Sequence, residues 1–84
     1  MKKNDKIIDL RSDTVTLPSK EMMTSIINSK LGDDVFQEDP TVNKLENRAA
    51  ELVGKESAIL VPSGTMGNLI AILVHAPRGT AVIL

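Results

Sequence analysis

In Val61-Pro62-Ser63-Gly64-Thr65-Met66-Gly67-Asn68 a small-residue turn separates two apolar runs, and this stretch sets the fold. Upstream, Ser57-Ala58-Ile59-Leu60-Val61 predicts a short buried strand. Downstream, Leu69-Ile70-Ala71-Ile72-Leu73-Val74 and its flanks predict a buried helix. A strand that turns through Ser-Gly-Thr into a helix leaves backbone N–H groups and two hydroxyls at the helix N-terminus. Those N–H groups lack intrahelical partners and lie at the positive end of the macrodipole, which suits a phosphate. An ordinary strand-to-helix connection, with Ser63 or Thr65 serving only as an N-cap, fits the same residues, and the turn alone leaves both readings open. It is not a Walker A loop, since no Gly-Lys-Ser/Thr follows. It also lacks the three-glycine spacing of a dinucleotide fingerprint.

Working outward, Pro77-Arg78-Gly79 predicts a turn and Ala81-Val82-Ile83-Leu84 a second strand. Continuous apolar runs belong to strands buried on both faces, as in parallel sheets. Residues 57–84 are therefore expected to form a right-handed β-α-β unit with parallel strands. A chain that stops inside such a run reads as cut, with a complete small domain carrying a docked terminal strand as the alternative. Upstream, Asp39-Pro40 is a helix start, and Val42, Leu45, Ala49, Leu52 and Val53 follow at steps of three and four. Gly54 closes that helix. Ser19, after Leu17-Pro18, starts an amphipathic helix expected over residues 19–30, with Met22, Met23, Ile26 and Ile27 on one face. Before it, Ile7-Ile8-Asp9-Leu10 predicts a short extended segment and residues 11–16 a polar, β-leaning loop. Residues 1–6 predict a charged, frayed tail.

Composition narrows the function classes. The 84 residues allow at most one small domain, and they contain no cysteine and a single aromatic residue, Phe36. Ten basic and eleven acidic residues give a net charge of −1. Only Lys2-Lys3 forms a basic end, so a nucleic-acid partner is not expected. Without cysteines there is no disulfide framework and no thiolate metal site. Met1-Lys2-Lys3 leads into Asn4-Asp5-Lys6 rather than an apolar run, and Leu69–Val74 is far short of a membrane span. The expectation is a cytoplasmic protein without a membrane partner.

Other candidate sites are weaker. Ser12, in Arg11-Ser12-Asp13-Thr14, offers a hydroxyl and neighbouring N–H groups to a carboxylate; a solvated loop with local hydrogen bonds is the commoner use of such a run. Asp33-Asp34, near Glu38 and Asp39, lacks EF-hand spacing, and Asp39 serves better as a cap, so no metal site is assigned. His75 sits at a helix end, where it suits the dipole. Lys44 and Lys55 lie on or beside a solvated helix face. No nucleophile-and-base pair can be assembled.

Three runs together carry a resemblance. Asp9-Leu10-Arg11-Ser12-Asp13-Thr14-Val15-Thr16 resembles the opening of the low-specificity L-threonine aldolases, in the aromatic amino acid β-eliminating lyase/threonine aldolase group. The loop Gly32-Asp33-Asp34-Val35-Phe36-Gln37-Glu38-Asp39-Pro40-Thr41-Val42-Asn43 resembles the acidic loop of that family, and residues 61–68 its cofactor-phosphate turn. The runs occur in the family's order and spacing, over residues 7–84.

The resemblance implies an α/β fold: the N-terminal part of a pyridoxal-phosphate (PLP)-dependent, fold type I large domain, with helices and the first strands of a mainly parallel sheet. It implies three segments: the tail, residues 7–56 as an arm with two helices, and residues 57–84 as the start of the PLP-binding domain. Ser63, Gly64 and Thr65 would hold the PLP phosphate, and Ser12 the carboxylate of an amino-acid substrate. The implied activity is cleavage of L-threonine or L-allo-threonine to glycine and acetaldehyde by a homo-oligomeric, tetrameric enzyme of threonine catabolism and glycine biosynthesis. Two departures stand out. Phe36-Gln37 replaces the family's usual Tyr-Gly, and the Schiff-base lysine, ring-stacking residue, pyridine-nitrogen aspartate and carboxylate arginines fall beyond residue 84. The resemblance thus places no catalytic residue in this chain, and turnover by the 84 residues alone is not expected. Alternatives are a non-catalytic phosphate- or nucleotide-binding α/β module and an inactive truncated product.

Overall fold

Local capping decides where the helices of this chain begin. The computed structural model describes residues 6–84; the tail expected over residues 1–6 lies, apart from Lys6, outside the described residues. Three helices form, α1 (Lys20–Ile27), α2 (Pro40–Val53) and α3 (Gly64–His75), preceded by a 3-10 turn at Asp13–Val15. The Ser19 hydroxyl accepts from the Met22 N–H at 3.2 Å, and the Ser19 N–H donates back to the Met22 thioether at 3.4 Å. α1 ends at Ile27, earlier than the expected residue 30, because the Ser29 hydroxyl donates to the Ile26 carbonyl at 2.7 Å and competes with the next turn. α2 starts and stops as expected, with Asp39 as cap, Pro40 in the first turn, and Gly54 at φ 65°, where a side chain would be strained.

The expected strands are the main difference. No strand forms among the described residues, so the parallel pairing of residues 57–61 with 81–84 is not present. A strand exists only through its ladder, and a lone two-stranded pair, least of all a parallel one, is marginal in water. The polar loop expected over residues 11–16 is instead wound into the 3-10 turn, because the Ser12 hydroxyl accepts from the Thr14 N–H at 3.2 Å.

Packing between elements is sparse, and no two elements of the described chain pack on each other. Ala50 is the one buried apolar residue among them, and Met22, Met23, Ile26 and Ile27 of α1 are all exposed. The radius of gyration is 18.4 Å, against about 12 Å for a compact chain of this length. Local structure is thus specified without a shared core.

Side chains hold the segment between α1 and α2 in place of a core. One Asp39 carboxylate oxygen accepts from the Thr41 and Val42 N–H groups at 2.9 and 3.0 Å, and the other from the Gly32 N–H at 3.2 Å. The Thr41 hydroxyl donates to the Lys30 carbonyl at 2.6 Å, closing the base of the loop. Within it, Asp33 accepts from the Val35 N–H at 2.8 Å, and Asn43 donates to the Gln37 carbonyl at 3.0 Å. Gln37 is left-handed at φ 57°; the Tyr-Gly of the resembling family would put glycine, which has no Cβ to strain, at this position.

The Asp39 carboxyl is held below its ordinary value, chiefly by the Val42 N–H; burial opposes this, and the Gly32 and Thr41 N–H groups reinforce it. A depressed folded-state pKa contributes stability above the ordinary carboxylate value of 3.8, and the contribution is lost as pH falls through the lowered value. Circular dichroism of α2 should therefore stay flat on acidification until below pH 3.8. Asp39→Asn should remove that acid step.

Candidate functional site

The turn before α3 contains adjacent unsatisfied donors at a helix start. Ser63 is in extended conformation (φ −151°, ψ 154°), and its hydroxyl accepts from the Met66 N–H at 3.2 Å. Its carbonyl accepts from the Gly67 N–H at 3.1 Å. The two N–H groups between them, those of Gly64 and Thr65, have no partner among the described residues. Neither has the Thr65 hydroxyl. α3 is 12 residues long, enough for its aligned peptide dipoles to reinforce an anion at this end. A Cβ built on Gly64 would meet nothing within 4 Å, so the Cβ side of this residue is open.

The entry to the turn is fixed by Glu46, a residue that sequence reasoning missed. Its carboxylate accepts from the Leu60 N–H at 2.7 Å, across 14 positions, and ties the segment ahead of Ser63 to α2. No local pattern signals such a bond; a carboxylate facing an apolar segment becomes visible only with the chain folded. From Leu60 to Val74 there is no acidic side chain. The donor set is therefore two N–H groups and a hydroxyl, and the Glu46 carboxylate near the entry is occupied by the Leu60 N–H; such a set can donate to a phosphate oxygen.

Ser12 stands apart from this turn. Besides capping the Thr14 N–H, its hydroxyl accepts from the Thr14 hydroxyl at 2.9 Å and lies 3.2 Å from the Asp13 carboxylate, to which it donates. The N–H groups of Ser12 and Asp13 are unpartnered among the described residues. Arg11, next to it, is engaged by Asp9 in a two-pronged pair, with contacts at 2.6 and 2.9 Å. That pair holds the Asp9 carboxyl below its ordinary value and raises Arg11. Both members are exposed, so the pair orients the Arg11 fork more than it stabilises the fold. No contact brings the 3-10 turn to α3.

His75 occupies the last turn of α3. Among the described residues no group of three His, Asp or Glu side chains converges as a metal site would require, and no helix is long and apolar enough to cross a membrane.

The sequence is similar to that of known proteins. The family model described as beta-eliminating lyase matches residues 9–84. The low specificity L-threonine aldolase of Escherichia coli strain K12 is 54% identical over 78 residues, covering 93% of this chain and 23% of the enzyme. A probable low-specificity L-threonine aldolase of Arabidopsis thaliana is 55% identical over 78 residues, covering 92% of this chain and 22% of that one. An uncharacterized protein of Caenorhabditis elegans is 57% identical over 77 residues, 92% of this chain and 19% of its own length. The chain thus spans about a fifth of the length of the curated relatives it matches. No solved structure matches it. With the match running from Asp9 through the Ser63-Gly64-Thr65 turn to the last residue, the chain belongs to the beta-eliminating lyase family.

Proposed function

We propose that this chain forms the phosphate-holding part of a PLP-dependent aldehyde-lyase that cleaves L-threonine or L-allo-threonine to glycine and acetaldehyde. The observation that carries this is the pair of adjacent unpartnered N–H groups, on Gly64 and Thr65, at the start of a 12-residue helix. The Thr65 hydroxyl adds a third donor, and Ser63 shapes the turn by capping Met66. Glu46 holds the entering segment in register through the Leu60 N–H. When bound, PLP supplies an electron sink for carbon–carbon cleavage. The chain's own contribution is to bind and orient the phosphate end of that cofactor.

Ser12 is the proposed contact for the substrate carboxylate. For this its hydroxyl proton turns from Asp13 to the incoming carboxylate, while the free N–H groups of Ser12 and Asp13 supply further donors. The same reading gives a fold type I large domain in which residues 57–61 and 81–84 join a mainly parallel sheet. It also gives a cytoplasmic, homo-oligomeric enzyme of amino-acid metabolism.

The test is a chimaera. The 84-residue chain is spliced in place of the matching segment of the Escherichia coli enzyme, and glycine release from L-threonine is followed with PLP present. The chimaera should turn over and the 84-residue chain alone should not. A folded, PLP-loaded chimaera without threonine cleavage would contradict the proposal.

A further inference from the structure

Glu46 is half-buried on α2, and its carboxylate accepts from the Leu60 N–H at 2.7 Å, a short bond whose acceptor carries charge. Among the described residues it is the one hydrogen bond that joins residues 57–62 to the rest of the chain. Only Val61 and Pro62 separate Leu60 from the Ser63 cap. Proline fixes its own φ and holds the residue before it extended, so this link is stiff. Val61 also lies beside the first turn of α3, its Cγ2 3.5 Å from where a Cβ on Gly67 would stand. A displacement of Leu60 is therefore passed on to the Gly64 and Thr65 N–H groups rather than absorbed. α2 is a firm base for this, since Asn43, one turn before Glu46, donates to the Gln37 carbonyl at 3.0 Å and Asp39 caps the helix. Successive N–H groups of a strand point to opposite edges, so the bond at Leu60 leaves those of Ile59 and Val61 for the sheet proposed above.

We infer that Glu46 is a positioning residue that sets the affinity of the turn for the cofactor phosphate, acting as a hydrogen-bond acceptor for Leu60 and not through its charge. The inference rests on the assignment of the Ser63–Met66 turn to PLP. The two roles differ in sign. By charge alone a carboxylate opposes a phosphate, so removing that charge strengthens binding. Removing the acceptor frees Leu60, loosens the stiff link and weakens binding.

The test is titration of the 84-residue chain with PLP, followed on the Gly64 and Thr65 amide resonances, for the wild type and three variants. Glu46→Ala removes the acceptor, and alanine favours a helix, so α2 should survive with its circular dichroism unchanged. Glu46→Gln keeps the length and a carbonyl acceptor without the charge. Glu51→Ala removes an α2 carboxylate that pairs with Arg48 rather than with the turn. Glu46→Ala should weaken binding about tenfold, the loss expected for one such hydrogen bond, and should speed exchange of the Leu60 amide. Glu46→Gln should bind as well as the wild type or better, and Glu51→Ala should match the wild type. Unchanged or tighter binding in Glu46→Ala would overturn the inference, as would equal losses in Glu46→Ala and Glu46→Gln. A wild type whose Gly64 and Thr65 amides ignore PLP would overturn the cofactor reading itself, and this inference with it.

Discussion

Replacing Gly64 with proline should preserve α3 and abolish most of the affinity for PLP. Gly64 is the first residue of the helix, where proline is favoured because its missing N–H has no intrahelical role. The residue before a proline must be extended, and Ser63 already is, at φ −151° and ψ 154°. The space around Gly64 is open, so the ring meets no neighbour near its Cβ. What the substitution removes is one of the two unpartnered N–H groups. A hydrogen bond to a charged group contributes about 1.5–3 kcal/mol, which corresponds to roughly a ten- to hundredfold loss of affinity. Calorimetric titration gives the affinity, and circular dichroism reports whether α3 survives. An unchanged affinity with an intact helix would mean that the phosphate lies elsewhere.

The second large effect is at Gly32. A Cβ there would collide with the Glu38 carbonyl oxygen and lie 2.8 Å from the Asp39 Cα, both backbone atoms that no rotamer change can move aside. The loop must open, and the Gly32 N–H then leaves the Asp39 carboxylate. Gly32→Ala is expected to cost about 1–3 kcal/mol, the range of overpacked substitutions. The consequence should be local, because α2 keeps its cap through the Thr41 and Val42 N–H groups. Amide exchange of residues 32–38 should therefore accelerate markedly, while the middle of α2 is unaffected. Equal protection in both chains would contradict the close approach.

These two glycines differ in how far the sequence reveals them. The start of α3 at Gly64 was legible, because Ser63 as cap, small residues in the turn and an apolar run afterwards are all local signals. The starts of α1 and α2 were legible for the same reason, at Ser19 and at Asp39-Pro40. Gly32 was not, since its constraint comes from Glu38 and Asp39 folding back over it. The bonds from Thr41 to Lys30 and from Leu60 to Glu46 cross 11 and 14 positions, with no periodicity to betray them. Residues 57–61 and 81–84 show the opposite limit. Their composition favours strands, but a ladder needs a neighbour, and the described residues supply none. Ser12 was legible as a polar contact, yet the structure shows its proton directed at Asp13.

The most direct measurement compares PLP with pyridoxal on the 84-residue chain, by following backbone amide resonances during titration. Pyridoxal carries the same aldehyde, so it controls for reaction with exposed lysines, and inorganic phosphate serves as competitor. The Gly64 and Thr65 amides should shift with PLP, weakly but saturably, should revert as phosphate is added, and should not move with pyridoxal. Equal shifts from PLP and pyridoxal, or PLP shifts confined to residues outside Ser63–Met66, would contradict the assignment of this turn to the cofactor phosphate.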